Sequence, residues 1–108
     1  MPQFSVYQNK NSNSNEIYPY LLDIQSDLLR DLKTTVVIPV CEFTSHSKEK
    51  IKILTPVVEI NQKKYLLMTP QLAGILRSEI DKETVNLSNY RNEIISAIDF
   101  MLTGFELK

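Results

Sequence analysis

The chain begins with the alternation Phe4, Ser5, Val6, which predicts a half-buried strand. Residues 9–15 (Asn-Lys-Asn-Ser-Asn-Ser-Asn) offer no apolar side chain as an anchor, so a mobile loop at a hairpin tip is expected there. Residues 17–25, rich in tyrosine, leucine and isoleucine, read as the return strand, and residues 34–40 as a second β-branched run. After a polar loop at residues 44–50, strand character resumes over residues 52–60. Asn61-Gln62 then separates this run from residues 64–68 as a hairpin turn would. Pro70 and Gly74 punctuate the next stretch, and residues 75–80 predict one more short strand.

The period changes after Leu87. Tyr90, Ile94, Ala97, Ile98 and Met101 recur at three and four residues, the spacing of one helix face, and Ile95 and Leu102 widen the stripe. Ser88 is the expected N-cap, and Glu93 lies near the positive end of the helix. Gly104 fits the stop, since glycine adopts the left-handed conformation that a helix C-terminus often needs. The pattern predicts a single domain, residues 1–108, mainly antiparallel β and closed by one C-terminal helix.

A chain of 108 residues can bury roughly two-thirds of its unfolded surface, enough for one core. With 12 basic against 13 acidic residues, there is no broad field for nucleic acid or an anionic membrane. No apolar run approaches the ~20 residues needed to cross a bilayer, and the N-terminus lacks a basic and then apolar leader pattern. A cytoplasmic protein without membrane contact is expected. Cys41, the one cysteine, reads as a small buried hydrophobe.

Candidate chemistry is sparse. His46 stands alone near Cys41, short of the about four ligands that a zinc site wants, and the two make no nucleophile–base pair. With only Gly74 and Gly104 there is no phosphate-cradling loop. Asp23, Asp27 and Asp31, spaced by four, read as a solvated edge, because three like charges on one helix face repel. Lys48, Lys50 and Lys52 alternate like the solvent face of a strand, and Lys63-Lys64 reads as part of a turn. No catalytic residue, metal or cofactor is expected.

Two stretches are more specific. Gln3-Phe4-Ser5-Val6-Tyr7, then Asp23-Ile24-Gln25-Ser26-Asp27-Leu28-Leu29 and Val37-Ile38-Pro39, form the first. Leu87-Ser88, Arg91-Asn92-Glu93-Ile94-Ile95, Ala97-Ile98-Asp99 and Gly104-Phe105 form the second. In this order and spacing the chain resembles the CcdB family of toxins from toxin–antitoxin modules, from Gln3 to Phe105. The resemblance implies an SH3-like barrel with a small β wing and a C-terminal helix, a homodimer, and no catalysis. It implies binding to the A subunit of DNA gyrase and trapping of the enzyme on cleaved DNA. It also implies neutralisation by a CcdA-type antitoxin, which contacts operator DNA and represses the operon together with the toxin. Carried over by position, the gyrase-facing residues would be Gln3, Phe4, Tyr7, Ser26, Leu28, Asp99, Leu102, Thr103, Gly104 and Phe105. The antitoxin groove would involve residues 8–15 and 43–50.

Two other readings stand beside it. An endoribonuclease of the MazF kind would share the barrel but needs a basic groove, and the only arginines are Arg30, Arg77 and Arg91. A family scaffold that binds antitoxin without poisoning is suggested by Thr103, where many members carry tryptophan, and by the three residues after Phe105.

Overall fold

The structure, a computed structural model, describes residues 3–43 and 53–104. Within them lie seven strands and one long helix: β1 (Ser5–Asn9), β2 (Tyr20–Asp23), β3 (Thr34–Glu42), β4 (Val57–Ile60), β5 (Lys63–Leu67), β6 (Ala73–Leu76), β7 (Ile80–Asn86) and α1 (Arg91–Thr103). All strand pairings are antiparallel, in the order β4-β5-β3-β2-β1-β7, with β6 also pairing with β3. The architecture is a curled, mainly β half-barrel with a C-terminal helix, as the sequence predicts.

β3 is the trunk of the sheet. Along one side it pairs with β2; along the other, Thr34 to Val37 pair with β6 and Val40 to Glu42 pair with β5. Pro39 lies where the partner changes. Its carbonyl accepts from Met68 N–H at 2.9 Å, so its nitrogen, which carries no hydrogen, faces the same gap. A proline in a central strand is tolerated there because no ladder bond is lost.

The strand expected from Phe4 begins only at Ser5, with Phe4 in a turn, and it is not half-exposed: Ser5, Val6 and Tyr7 are all buried. Val6 joins the main core with Leu22, Ile38, Val40, Ile60 and Leu67, whereas Tyr7 joins a smaller cluster with Leu21, Val37 and Ile80. Both faces of the curled sheet are therefore covered near β1. α1 closes the main core through Ile94 and Ala97, with Ile95 and Ile98 packed beside them. Burying a side chain such as that of Ile94 contributes about 1.5–3 kcal/mol.

Turns follow the local chemistry. Asn61 (φ 53°) and Gln62 (φ 68°) make the predicted two-residue hairpin turn between β4 and β5, left-handed at both positions. The β1–β2 connection is bonded within itself: Asn9 Nδ2 donates to Ser14 Oγ and to the Tyr18 carbonyl, and Asn9 Oδ1 accepts from Asn11 N–H. β2 is shorter than residues 17–25, starting only after Pro19.

Three expectations are corrected. Residues 75–80 are not one strand: β6 ends at Leu76, a 3₁₀ turn covers Arg77–Glu79, and β7 begins at Ile80. No strand was expected between residue 80 and Leu87; Asp81, Lys82 and Glu83 of β7 are exposed on an edge strand, where charge discourages further pairing. Ser88 is not the N-cap of α1; it opens a 3₁₀ turn (Ser88–Tyr90), and its N–H is taken by Asn86 Oδ1 at 2.9 Å. Lys63 belongs to β5 rather than to the turn and pairs with Glu42 at 3.0 Å. His46, Lys48, Lys50 and Lys52 lie outside the described residues.

Candidate interaction surface

The first expected stretch is assembled at one corner. Gln3 N–H donates to Asp27 Oδ1 at 2.7 Å, Gln3 Nε2 donates to the Ile24 carbonyl at 3.0 Å, and Phe4 N–H donates to the Asp23 carbonyl at 2.7 Å. Ser26 Oγ accepts from Leu28 N–H and so caps a short 3₁₀ turn, Asp27–Leu29. That turn carries Leu28 outward, 91% exposed. Gln3, Ser26 and Leu28 thus share an accessible patch. Phe4 and Tyr7 do not: both are buried, Phe4 in the main core and Tyr7 in the smaller cluster. Phe4 holds φ at 70°, a strained conformation for an aromatic residue. Backbone bonds to the Asp23 carbonyl and from Leu87 N–H hold it on either side.

Beneath the corner runs a polar network that sequence reasoning missed. Asp23 is buried, not part of a solvated edge; its Oδ1 accepts from Thr35 Oγ1 at 2.8 Å and from Gln25 N–H at 3.1 Å. Arg77 Nη1 lies 3.8 Å from Asp23 Oδ2. Ser5 Oγ donates to Glu83 Oε2 and accepts from Asn86 Nδ2, which also donates to the Gln3 carbonyl. Burial pushes the Tyr7 phenol above its ordinary range, with Glu83 and Asp23 adding to the rise while Ser5 and Arg77 oppose it. No local pattern in the chain signals this network, because its partners come from different strands and turns.

The end of the second stretch forms the last turn of α1. Leu102 is 72% exposed, and Thr103 and Gly104 are exposed too, whereas Asp99 is half-buried. Thr103 Oγ1 donates back to the Asp99 carbonyl at 2.8 Å. Gly104, at φ 79°, donates its N–H to the Phe100 carbonyl and ends the helix as expected. The centre of this turn stands about 14 Å along the axis from that of the first turn of α1. Phe105 lies outside the described residues.

A groove of about 200 Å³ opens on the second sheet face, lined by Asn9, Ser14, Tyr18, Pro39, Ile75 and Glu79 among others. Cys41 is half-buried, and burial raises its thiol pKa. Among the described residues no three His, Cys, Asp or Glu side chains are placed to hold a metal, and no helix is long and apolar enough to cross a membrane.

The family model described as "CcdB protein" matches residues 3–104, nearly the whole chain. Among solved structures, the chain is similar to the Mycobacterium tuberculosis toxin MazF-mt6, with a TM-score of 0.69 and 10% identity over 91% of this chain and 95% of that one. It is also similar to an endoribonuclease in complex with its cognate antitoxin from a mycobacterial species, with a TM-score of 0.71 and 14% identity over 100% and 99% of the two chains. At such identities the likeness is one of fold.

Proposed function

Since this chain belongs to the CcdB family of toxin–antitoxin toxins, we propose that it acts by contact, binding the A subunit of DNA gyrase and trapping the enzyme on cleaved DNA. The observation that carries this reading is a pair of apolar residues held out from ordered backbone: Leu28 on its capped turn and Leu102 on the last turn of α1. Exposed leucines in loose loops would fold back; these are fixed by hydrogen bonds and gain their burial only against a partner. Each contributes about 1.5–3 kcal/mol when fully covered.

Gln3 and Ser26 flank Leu28, while Asp99, Thr103, Gly104 and Phe105 complete the contact at the helix end. Phe4 and Tyr7, buried in two separate clusters, do not touch the partner in this reading. Poisoning requires the toxin to bind the cleaved complex more tightly than the resealed one, because a ligand shifts an equilibrium only by its differential affinity. The protein performs no chemistry of its own in this reading and works as a homodimer. A CcdA-type antitoxin neutralises it, and the complex of the two represses their operon. The groove beside Asn9 and Ser14 suits an extended antitoxin segment.

Purified gyrase supplies the test. Added protein should increase cleaved DNA in a gyrase assay while cellular RNA stays intact after induction; unchanged cleavage with degraded RNA would replace contact poisoning by an endoribonuclease activity.

A further inference from the structure

The segment bearing Ser26 and Leu28 runs on to Lys33 with three leucines facing solvent: Leu28, Leu29 (46% exposed) and Leu32 (50% exposed). So apolar a surface loop would collapse onto the core unless tied down. Its internal bonds, Leu29 N–H to the Ser26 carbonyl, Arg30 N–H to the Asp27 carbonyl and Leu32 N–H to the Leu29 carbonyl, shape it without attaching it. Gln3 N–H holds its start through Asp27 Oδ1, and the attachment of the rest comes from a residue 45 positions beyond Leu32. Arg77 Nε–H donates to the Leu32 carbonyl at 2.7 Å, Nη2 reaches the Leu29 carbonyl at 3.4 Å, and the Arg77 backbone N–H donates to the Lys33 carbonyl at 2.8 Å. The same guanidinium lies beside buried Asp23, and its side chain is only 17% exposed. One planar fork thus joins a buried carboxylate to two loop carbonyls. A lysine ammonium, a point charge on a flexible stem, cannot span the same set.

We propose that Arg77 is the positioning residue of the docking surface: it locks residues 26–33 so that Leu28, Leu29 and Leu32 meet the protein partner already ordered. This rests on the reading of that surface as the one that meets gyrase, and it adds a residue that lies outside the contact. A preordered loop loses less conformational freedom on binding, so the lock is felt as slower dissociation.

Arg77→Lys tests it, keeping a cation beside Asp23 while giving up the fork. The variant should keep the wild-type fold by circular dichroism, and amides of residues 28–33 should exchange about tenfold faster or more while β2 and β3 keep their protection. Its affinity for the gyrase A subunit should fall about tenfold, mostly in the dissociation rate. Wild-type exchange in the loop, or faster exchange with unchanged affinity, overturns the proposal. A second measurement needs no variant: in the wild-type protein the Arg77 Nε–H should be a slowly exchanging NMR signal coupled to the Leu32 carbonyl carbon. A freely exchanging Nε–H overturns the lock whatever the variant does. Wild-type protein that leaves the A subunit unbound while this signal is protected overturns the docking role and leaves the loop lock as a purely structural one.

Discussion

The hydroxyl of Thr35 on β3 donates to the carboxylate of Asp23 on β2 at 2.8 Å, and both side chains are shielded from solvent. A buried carboxylate left short of a donor bears a desolvation cost, so Thr35→Val should destabilise the fold by about 1–3 kcal/mol. Asp31→Asn, at an exposed position between β2 and β3, should change stability by less than about 0.5 kcal/mol. Urea titrations of the two variants separate the roles that equal spacing in the chain suggested were alike.

The hairpin between β4 and β5 turns through Asn61 and Gln62 with both φ angles positive. Glycine suits the second position better than glutamine, so Gln62→Gly should raise stability by about 0.5 kcal/mol. Thermal unfolding checks this; a lower midpoint would mean that the glutamine side chain makes a contact worth more than its strain.

Gly104 ends α1 in the left-handed region, and a Cβ added there would touch nothing within 4 Å. Gly104→Ala therefore isolates backbone strain and should cost about 1 kcal/mol. The effect should appear as faster amide exchange in the last helical turn, with the β core unaltered.

Alkaline pH should unfold the protein through its buried phenols. The folded-state pKa of Tyr7 and of Tyr65 lies above the ordinary 10.0, burial being the main cause. The folded state thus holds protons that the unfolded chain releases near pH 10. The stabilising contribution is complete below that value and is lost as pH rises through the folded-state values. Denaturation midpoints should be flat across neutral pH in respect of these groups and decline above pH 10. Tyr7→Phe should make the decline shallower, because its phenol no longer takes part.

Much of this fold was written locally. β-branched runs mark β3 and β4, Asn61-Gln62 marks the turn, and the three-and-four spacing from Tyr90 to Met101 marks α1. β7 escaped because its charged residues serve an edge, where propensity and burial part company. The corner of Gln3, Ser26 and Leu28 was indicated by the resemblance, and the backbone brings those three together. It could not be read from the chain that Phe4 and Tyr7 point into two different cores, since alternation assumes one wet face and both faces are covered at Val6 and Tyr7. Asp23 looked like one of three solvated carboxylates because its partners, Thr35 and Arg77, come from other strands and turns. Contacts of that range leave no trace in a local pattern.

The most direct measurement is a calorimetric titration of the purified protein into the isolated gyrase A subunit, alongside Leu28→Ser and Leu102→Ser, both altered at exposed positions that leave the core intact. Saturable binding by the wild type, weakened about tenfold or more in each variant at unchanged melting temperature, is the expected result. No binding by the wild type, or equal binding by all three, would contradict a toxin that works through these two leucines.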